Sequence, residues 1–496
     1  MIVSALSSLA FAFSLWAICQ GWETSIFGDF NFRQCQTALS AETIRDGGPF
    51  FAYQTPVLGP PWSIPFEFPL YQGLVALYSR LTGAPIELAG RLISALFFYA
   101  TLVPLYYGLG FLKIAKPLRV PILALIAASP FYIFWSRAFM IESTALFLSM
   151  VYLVMVLRES FDPGPKPSPW FFVGIAAVGS LAGMVKITTY ASFWLAGSSV
   201  ALFKSREMTR MRSRRIWLLG STVVLPVIAT WGWTRYADAV KSRNPMAGFL
   251  LSKALRSWNF GTLQQRLTLA KYSPFGAVLD SIVGNKVVIV LAVFALFFVA
   301  LQRRKIFLAC VLLWVSGIAI FFNLHVIHSY YAYANGIFLV VAIGIAISGL
   351  LERGGNSSQA GLFLFCFCLA SFVIGYHRDF YLHQETNFPG MAKIADLIDS
   401  ATKPEDVLLI YGLDWAPELP YQAHRRAIMD RYAVTIDPQL QASLQLLSPQ
   451  QVGAIVICGI FRGHKRAIES VLAPMHFQHR VFGTADNCDL YLPARS

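Results

Sequence analysis

Long apolar runs recur along the chain up to about residue 376, with polar residues bunched between them. A helix needs about 20 apolar residues to cross the hydrocarbon of a bilayer. Runs of roughly that size fall at 2–20, 89–112, 119–136, 141–157, 169–185, 187–203, 216–234, 284–301, 306–322, 334–351 and 360–376. The pattern predicts an α-helical polytopic membrane protein with about eleven transmembrane helices. The turns inside 119–157 and 169–203 are very short. Segment 1–20 is apolar from its start, with no basic leader and no Ala-x-Ala-like cleavage site, so it reads as a retained first span.

Two stretches break the pattern before residue 376. Stretch 21–88 carries Pro56, Pro60, Pro61, Pro65 and Pro69 together with Trp62 and several Phe. Long ordered loops are uncommon unless they have work to do, and 34–45 and 70–81 have the spacing of short helices lying on the membrane interface. Stretch 235–283 is the second large loop. No internal repeat is visible, which gives no support to an inverted-repeat transporter. After residue 376 the periodicity changes. Stretch 391–401 has helical spacing, 406–412 and 454–458 read as buried strands, and 477–492 reads as a hairpin turning at Asp486-Asn487. The division predicted is a membrane domain, 1–376, and a small α/β domain, 377–496.

Composition agrees. Charged residues make up 13% of the chain, against roughly 25% in soluble domains, and mean hydropathy is +0.56. The net charge of +14 is unevenly placed: from His377 onward there are 11 Lys/Arg against 13 Asp/Glu, leaving 29 against 13 in the membrane part. In a membrane protein that excess reports topology and anionic lipid. No basic–aromatic module for nucleic acid is present.

The basic clusters set the orientation. Lys113, Lys116 and Arg119 form one cluster, Arg158 and Lys166 a second, and Lys204, Arg206, Arg210, Arg212, Arg214 and Arg215 a third. Arg303, Arg304 and Lys305, then Arg353, follow. With eleven spans all fall on one side, which the positive-inside rule makes the cytosol. The N-terminus is then cytoplasmic, and 21–88, 235–283 and the C-terminal domain are extracytoplasmic. Arg235, Lys241, Arg243, Lys253, Arg256, Arg266 and Lys271 in the second loop oppose this assignment. Parity outweighs them, and a basic exterior loop suits an anionic substrate.

Four of the seven cysteines, Cys19, Cys310, Cys366 and Cys368, lie in apolar runs, and Cys35, Cys458 and Cys488 in aqueous parts. A Cys458–Cys488 disulfide is open, since spacing alone cannot show it. There is no metal-type cysteine cluster.

Ionisable groups near hydrocarbon are costly and usually face a cavity. Asp29, in Phe27-Gly28-Asp29-Phe30-Asn31-Phe32-Arg33, Glu67 and Glu142 stand near outer span ends. So do the cations Arg33, Arg137, Lys186 and Lys271. A sugar carried on a lipid phosphate would use such a set: a carboxylate to deprotonate the acceptor hydroxyl, and cations against the leaving phosphate. The alternatives stay open for each: Asp29 solvating its loop, Glu67 pairing an Arg, Glu142 favouring a helix N-terminus, Lys186 snorkelling. His325 and His328, in Asn323-Leu-His325-Val-Ile-His328-Ser-Tyr330-Tyr331, have the spacing of metal ligands. Hydrogen bonding of phosphate or sugar by His328 and Tyr331 is an equal reading.

These residues, in this order, resemble the GT-C integral-membrane glycosyltransferases, and in particular the bacterial group of aminoarabinose transferase, Rgt-type galacturonosyltransferases and protein O-mannosyltransferases. The resemblance is strongest over 25–195. Asp29, followed by Arg33, occupies the place of the family's catalytic acid. Phe66-Glu67-Phe68-Pro69-Leu70-Tyr71 is similar to an aromatic-Glu-x-Pro-x-x-Tyr segment, one residue shorter. Ala89-Gly90-Arg91-Leu92-Ile93-Ser94, then Ser129-Pro130 through Arg137 and Glu142, then Gly179 to Lys186, follow in family order. Asp414-Trp415-Ala416-Pro417-Glu418, with Tyr421 and His424-Arg425-Arg426, looks like the outer domain of some relatives.

The resemblance implies transfer of a glycosyl group from a polyprenyl-phosphate sugar at the extracytoplasmic face of a bacterial inner membrane. Inversion is implied, with Asp29 as base and Arg33, Glu67, Tyr71, Arg137, Glu142, Lys186, Lys271, His328 and Tyr331 around the donor. Departures refine it. The Lys that follows the glutamate in aminoarabinose-transferase-like members is Phe68 here, and no His in 235–283 matches their zinc-ligand-like position, which counts against a metal on Glu67. A divalent-cation requirement stays open. Asp29 is followed by Phe30 rather than the paired acid of the protein mannosyltransferases, which favours a lipid or polysaccharide acceptor over a protein. The rivals are a flippase or transporter of lipid-linked sugars, which would need discontinuous helices, and a noncatalytic assembly subunit.

Overall fold

The computed structural model describes residues 1–162, 168–207 and 212–494. Lys166 and Arg210, two of the orienting basic residues, lie outside the described residues. The protein is mostly helical, with a five-stranded sheet near the C-terminus. Six helices are long and apolar enough to cross a bilayer: Ile2–Cys19, Ile86–Phe111, Glu142–Phe161, Ser213–Lys241, Ser329–Leu351 and Gly355–Glu385. A seventh span results if Leu269–Val283 and Val287–Phe298, bent by 75° to each other, count as one. By length and composition the described residues thus supply six or seven spans of the eleven expected.

The shortfall has local causes. Stretch 119–136 is split, because Pro130 lacks an N–H and pushes Ser129 out of helical geometry, to φ −59° and ψ 126°. Helix Pro169–Val185 has 17 residues, and Leu301–Ile320 opens on Arg303, Arg304 and Lys305. Stretch 284–301 keeps only the short helical run Val287–Phe298, set off from Ser273–Val283 at Gly284, whose φ is +70° and which lies so close to the Ser371 carbonyl that any Cβ would collide.

The chain forms two compact units. One comprises Met1–Glu23, Arg91–Trp233 and Arg256–Thr386; the other comprises Thr24–Gly90, Thr234–Leu255 and Asn387–Ser496. In the first, helix Ala332–Leu351 is buried along nearly its whole length. Its neighbours are joined by small polar groups, as suits helices in an apolar medium. Tyr132 donates to the Tyr333 carbonyl at 2.9 Å, Ser129 to Ile282 at 2.7 Å, and Ser143 lies 3.0 Å from the Tyr333 hydroxyl. Arg303 pairs with Glu352 and donates to the Lys113 carbonyl at 3.0 Å, while Arg214 donates to Glu159 at 2.7 Å. These pairs join basic loops that the charge pattern places on one side of the membrane.

The second unit holds the sheet. Its strands are β1 (Val407–Tyr411), β2 (Arg426–Asp430), β3 (Val452–Cys458), β4 (Gly483–Ala485) and β5 (Cys488–Tyr491), in the spatial order β2-β1-β3-β5-β4. β1 runs parallel to both β2 and β3; it is buried at every residue, as an unalternating apolar run in a parallel sheet should be. β5 is antiparallel to β3 and β4. The β4–β5 turn is Asp486-Asn487, both at positive φ, the geometry a two-residue hairpin demands. Cys458 and Cys488 stand opposite each other on β3 and β5 and form a disulfide.

β2 is the strand the apolar pattern does not announce, because it has only three apolar residues. Part of its stability comes from the first loop. Gly59 donates to the Ala427 carbonyl at 3.1 Å, Ala427 to Pro56 at 2.9 Å, and Met429 to Val57 at 3.1 Å. The loop thereby covers an edge that would otherwise be open. The buried Asn244 amide fixes the next turn, donating to the carbonyls of Leu58, Gly59 and Pro61 at 3.3, 2.9 and 3.0 Å. Helices Asn31–Arg45 and Leu70–Thr82 occupy the two stretches expected to be helical in this loop.

Removing the Asn244 amide leaves buried carbonyls unpaired, at about 1–3 kcal/mol. Asn244→Leu should lower the melting temperature of the detergent-solubilised protein by several degrees, read by differential scanning fluorimetry. An unchanged melting temperature would show that water replaces the amide.

Candidate active site

In the second unit, Asp29 sits in the turn that leads into helix Asn31–Arg45. Phe30, at φ 51°, reverses the chain there, and Gln34 Nε2 donates to the Asp29 carbonyl at 2.9 Å. Asp29 is half-buried. One turn on, Arg33 forms an ion pair with Glu67 and donates to Gln36 Oε1 at 2.7 Å. The fold therefore joins two motifs that are distant in sequence, and it answers for Glu67 what the sequence left open: the carboxylate holds an arginine. Tyr71 is fully buried, its hydroxyl donating to the Gly90 carbonyl at 2.8 Å.

Sequence reasoning missed two residues here. Lys241 is buried, with its ammonium 4.8 Å from the Phe66 ring centroid, 2.7 Å from the Leu250 carbonyl and 3.1 Å from Asp238. Trp415 packs against Phe32 at 4.8 Å and Phe66 at 6.0 Å between ring centroids. Lys241 had no signal of its own, and Trp415 had one only as part of the Asp414–Glu418 motif, with nothing to join it to Phe32 or Phe66. Lys241 was one of many basic residues in its loop, and Trp415 lies far from Asp29 in sequence.

In the first unit, Lys186 stands at the break between helices Pro169–Val185 and Ile187–Glu207, with extended backbone. Its ammonium pairs with Glu142, in the first turn of helix Glu142–Phe161, and both side chains are buried, at 5% and 3% exposure. The ammonium also lies 5.5 Å and 5.0 Å from the ring centroids of Tyr330 and Tyr331, within cation–π range. Glu142 Oε2 is buried and takes no hydrogen bond among the described residues. His328 stacks on Tyr330 at 5.4 Å.

Other expected members are placed differently. Arg137 is buried and donates to the carbonyls of Gln20 and Gly21, while Arg91 donates to Trp22. Both guanidiniums thus tie down the chain that leaves the first helix. Lys271 is exposed on a short turn, Leu269–Tyr272. His325 is buried, with Nδ1 3.0 Å from the Phe321 carbonyl and Nε2 3.4 Å from Asn335 Oδ1. Its ring is thus held by its own surroundings, and the spacing to His328 does not make a ligand pair. Among the described residues no group of three or more His, Cys, Asp or Glu is arranged to hold a metal.

No protein-family model and no curated sequence matches the chain. Solved structures do. ArnT from Cupriavidus metallidurans, bound to undecaprenyl phosphate, superposes with a TM-score of 0.61 over 99% of this chain and 97% of its own, at 14% identity. The fold is that of the GT-C glycosyltransferases. Two further GT-C structures agree. The archaeal oligosaccharyltransferase AglB from Archaeoglobus fulgidus, in complex with an inhibitory peptide and a dolichol-phosphate, matches over 92% of this chain and 69% of its own, at a TM-score of 0.56 and 11% identity. The arabinofuranosyltransferase AftD from Mycobacteria matches over 99% of this chain, which spans only 40% of AftD, at 0.55 and 14%. With this fold and its apolar helices, the chain is a multi-pass membrane protein.

A buried ion pair leaves a costly charge when one partner is removed, at about 3–5 kcal/mol, whereas replacing both by apolar groups is far milder. Lys186→Met should therefore lower the melting temperature sharply, and the double variant Lys186→Met/Glu142→Leu should recover most of the loss. Equal melting temperatures for the two variants would show that the pair is not coupled.

On the helix that follows Asp29, burial lifts the Glu42 carboxyl from 4.5 to about 7; Arg45 pulls it down, and Asp46 and Glu87 push it further up. With the folded value above the unfolded one, folding takes up a proton, and stability is lost as pH rises from about 4.5 to about 7. Glu42→Gln should stabilise the protein at pH 8, by on the order of 3 kcal/mol, and change nothing at pH 4. Thermal melts of both forms at the two pH values test the sign.

Proposed function

We propose that this protein is an inverting glycosyltransferase that takes its sugar from a polyprenyl phosphate and passes it to a lipid or polysaccharide acceptor at the extracytoplasmic face of a bacterial inner membrane. The observation that carries the reading is the match, over nearly the whole of both chains, to a transferase bound to undecaprenyl phosphate. The dolichol-phosphate in the AglB complex points to the same class of donor. The reading keeps about eleven spans, a cytoplasmic N-terminus, and 377–496 as the extracytoplasmic domain. The disulfide between Cys458 and Cys488 supports that side, since such bonds persist in oxidising compartments.

In the reaction, Asp29 takes the proton of the acceptor hydroxyl. The acceptor oxygen attacks the anomeric carbon from the face opposite the phosphate. The carbon–oxygen bond to phosphate breaks and the electron pair leaves on the prenyl phosphate. Lys186, Arg137 and Lys271 supply positive charge for that leaving group, and His328 and Tyr331 supply hydrogen bonds. Glu142 and Glu67 hold Lys186 and Arg33, as their ion pairs indicate. Arg137, with donors already on carbonyls, acts through charge rather than bidentate contact.

Asp29→Asn keeps the size of the side chain and removes the base. Purified protein with labelled polyprenyl-phosphate sugars and a membrane glycolipid extract should show transfer and release of prenyl phosphate. The variant should lose at least a hundredfold in rate with an unchanged melting temperature. An active variant would sink the assignment of Asp29. One observation favours a flippase instead: the 75° break in Leu269–Phe298, a discontinuous helix of the kind transporters use. Donor binding with no transfer to any acceptor in the extract, by either form, would move the reading there.

A further inference from the structure

The three parallel strands of the sheet fix a direction. β1 lies in the middle, the chain crosses from it to β2 on one side, and then returns to β3 on the other. Ligands of open α/β sheets bind beyond the carboxyl ends of the strands. The residues that leave that edge here are Asp414-Trp415 after β1 and Arg431-Tyr432 after β2.

They are organised. Asp414 takes a left-handed backbone, at φ 55°, and its carboxylate pairs with Arg431. The Arg431 guanidinium lies 3.8 Å over the Phe249 ring and 5.3 Å from the centroid of Tyr432. Phe249 in turn stands edge-on to Trp415 at 6.1 Å. Trp415 is half-buried, and Tyr432 is 74% exposed. On its inner side Trp415 meets Phe32 and Phe66, three residues after Asp29 and one before Glu67. A large aromatic surface, left partly open and set between the sheet edge and the loop that carries Asp29, is thus rimmed by a charge-neutral pair of planar polar groups.

We propose that this carboxyl edge is a subsite for the acceptor, and that it takes a neutral sugar ring. Aromatic faces attract the positively polarised C–H groups of a pyranose as they do other positive edges. Asp414 accepts and Arg431 donates hydrogen bonds to hydroxyls, and their mutual neutralisation disfavours an anionic ring. The subsite rests on the glycosyltransferase reading for its role, since it places the acceptor against Phe32 and Phe66 on the loop that carries Asp29, but its binding can be measured without transfer.

Two measurements on the full-length protein in detergent separate the ideas. Saturation-transfer NMR with a panel of neutral methyl hexosides should give ring-proton signals that are lost in Trp415→Ala and largely kept in Trp415→Phe. A methyl hexuronide should give weaker signals than its neutral counterpart. In transfer assays with the membrane glycolipid extract, Trp415→Ala and Arg431→Ala should raise the acceptor KM at least tenfold while the donor KM stays within twofold, with Trp415→Phe restoring most of the loss. No hexoside signal in the wild type, or an acceptor KM unmoved in Trp415→Ala, overturns the subsite. Equal loss toward donor and acceptor together with a lowered melting temperature also overturns it, by showing a packing role. Hexoside binding that depends on Trp415 in a protein that transfers nothing would leave the subsite standing and remove the transferase reading.

Discussion

A long loop can stay ordered only if its backbone polar groups find partners, and that requirement governs the second unit. Stretch 24–90 has two helices of its own, but the segment between them is rich in proline and cannot make a regular ladder. The fold meets the need from elsewhere in the chain: β2 lends its edge to Pro56, Val57 and Gly59, and Asn244 lends its amide to the carbonyls of Leu58, Gly59 and Pro61. Everything proposed for Asp29, Arg33 and Glu67 depends on this. A carboxylate on a wandering loop cannot be held within reach of one hydroxyl, and small misplacements of reacting groups cost large factors in rate.

The same device recurs in the charges. Each unit contains an acid that holds a cation, Glu67 with Arg33 and Glu142 with Lys186. The two differ in what they cost. The first pair is partly exposed, so its net contribution to stability is small. The second is buried among aromatic rings, where desolvation of both ions is expensive and is offset only by the closeness of the pair and the neighbouring π faces. Apolar residues at these two positions would fit a membrane helix bundle better. That a buried pair stands there instead favours a use for the charge.

Much of this was legible in the sequence, because membrane helices and buried strands announce themselves by long apolar runs. Ile2–Cys19, Ile86–Phe111 and Gly355–Glu385 follow directly from hydropathy, and β1, β3 and the β4–β5 hairpin from apolar runs and turn residues. The misses have physical causes. Run length does not reveal a helix cut at Pro130 or a break at Gly284, so six or seven helices among the described residues qualify by length where about eleven spans are expected. β2 is too short to stand out, and its partner lies in a loop. At the candidate site, residue type gave Glu67 and Lys186, since charge near hydrocarbon is conspicuous. It does not tell that the Tyr71 hydroxyl and the His325 ring meet nearby backbone or side-chain groups, nor that Lys241 and Trp415 pack against Phe66, because those are tertiary contacts.

The sheet unit is discontinuous: its three stretches are separated by the membrane helices of the other unit. That has a consequence for biogenesis. The ribosome delivers stretch 24–90 first, and the strand it pairs with, and the tryptophan that packs on its aromatic residues, follow more than 300 residues later. Until then the loop lacks the β2 edge that its backbone pairs with. A premature stop late in the chain would therefore cost far more than a tail. It would take from the first loop the β2 edge and the tryptophan against which it packs.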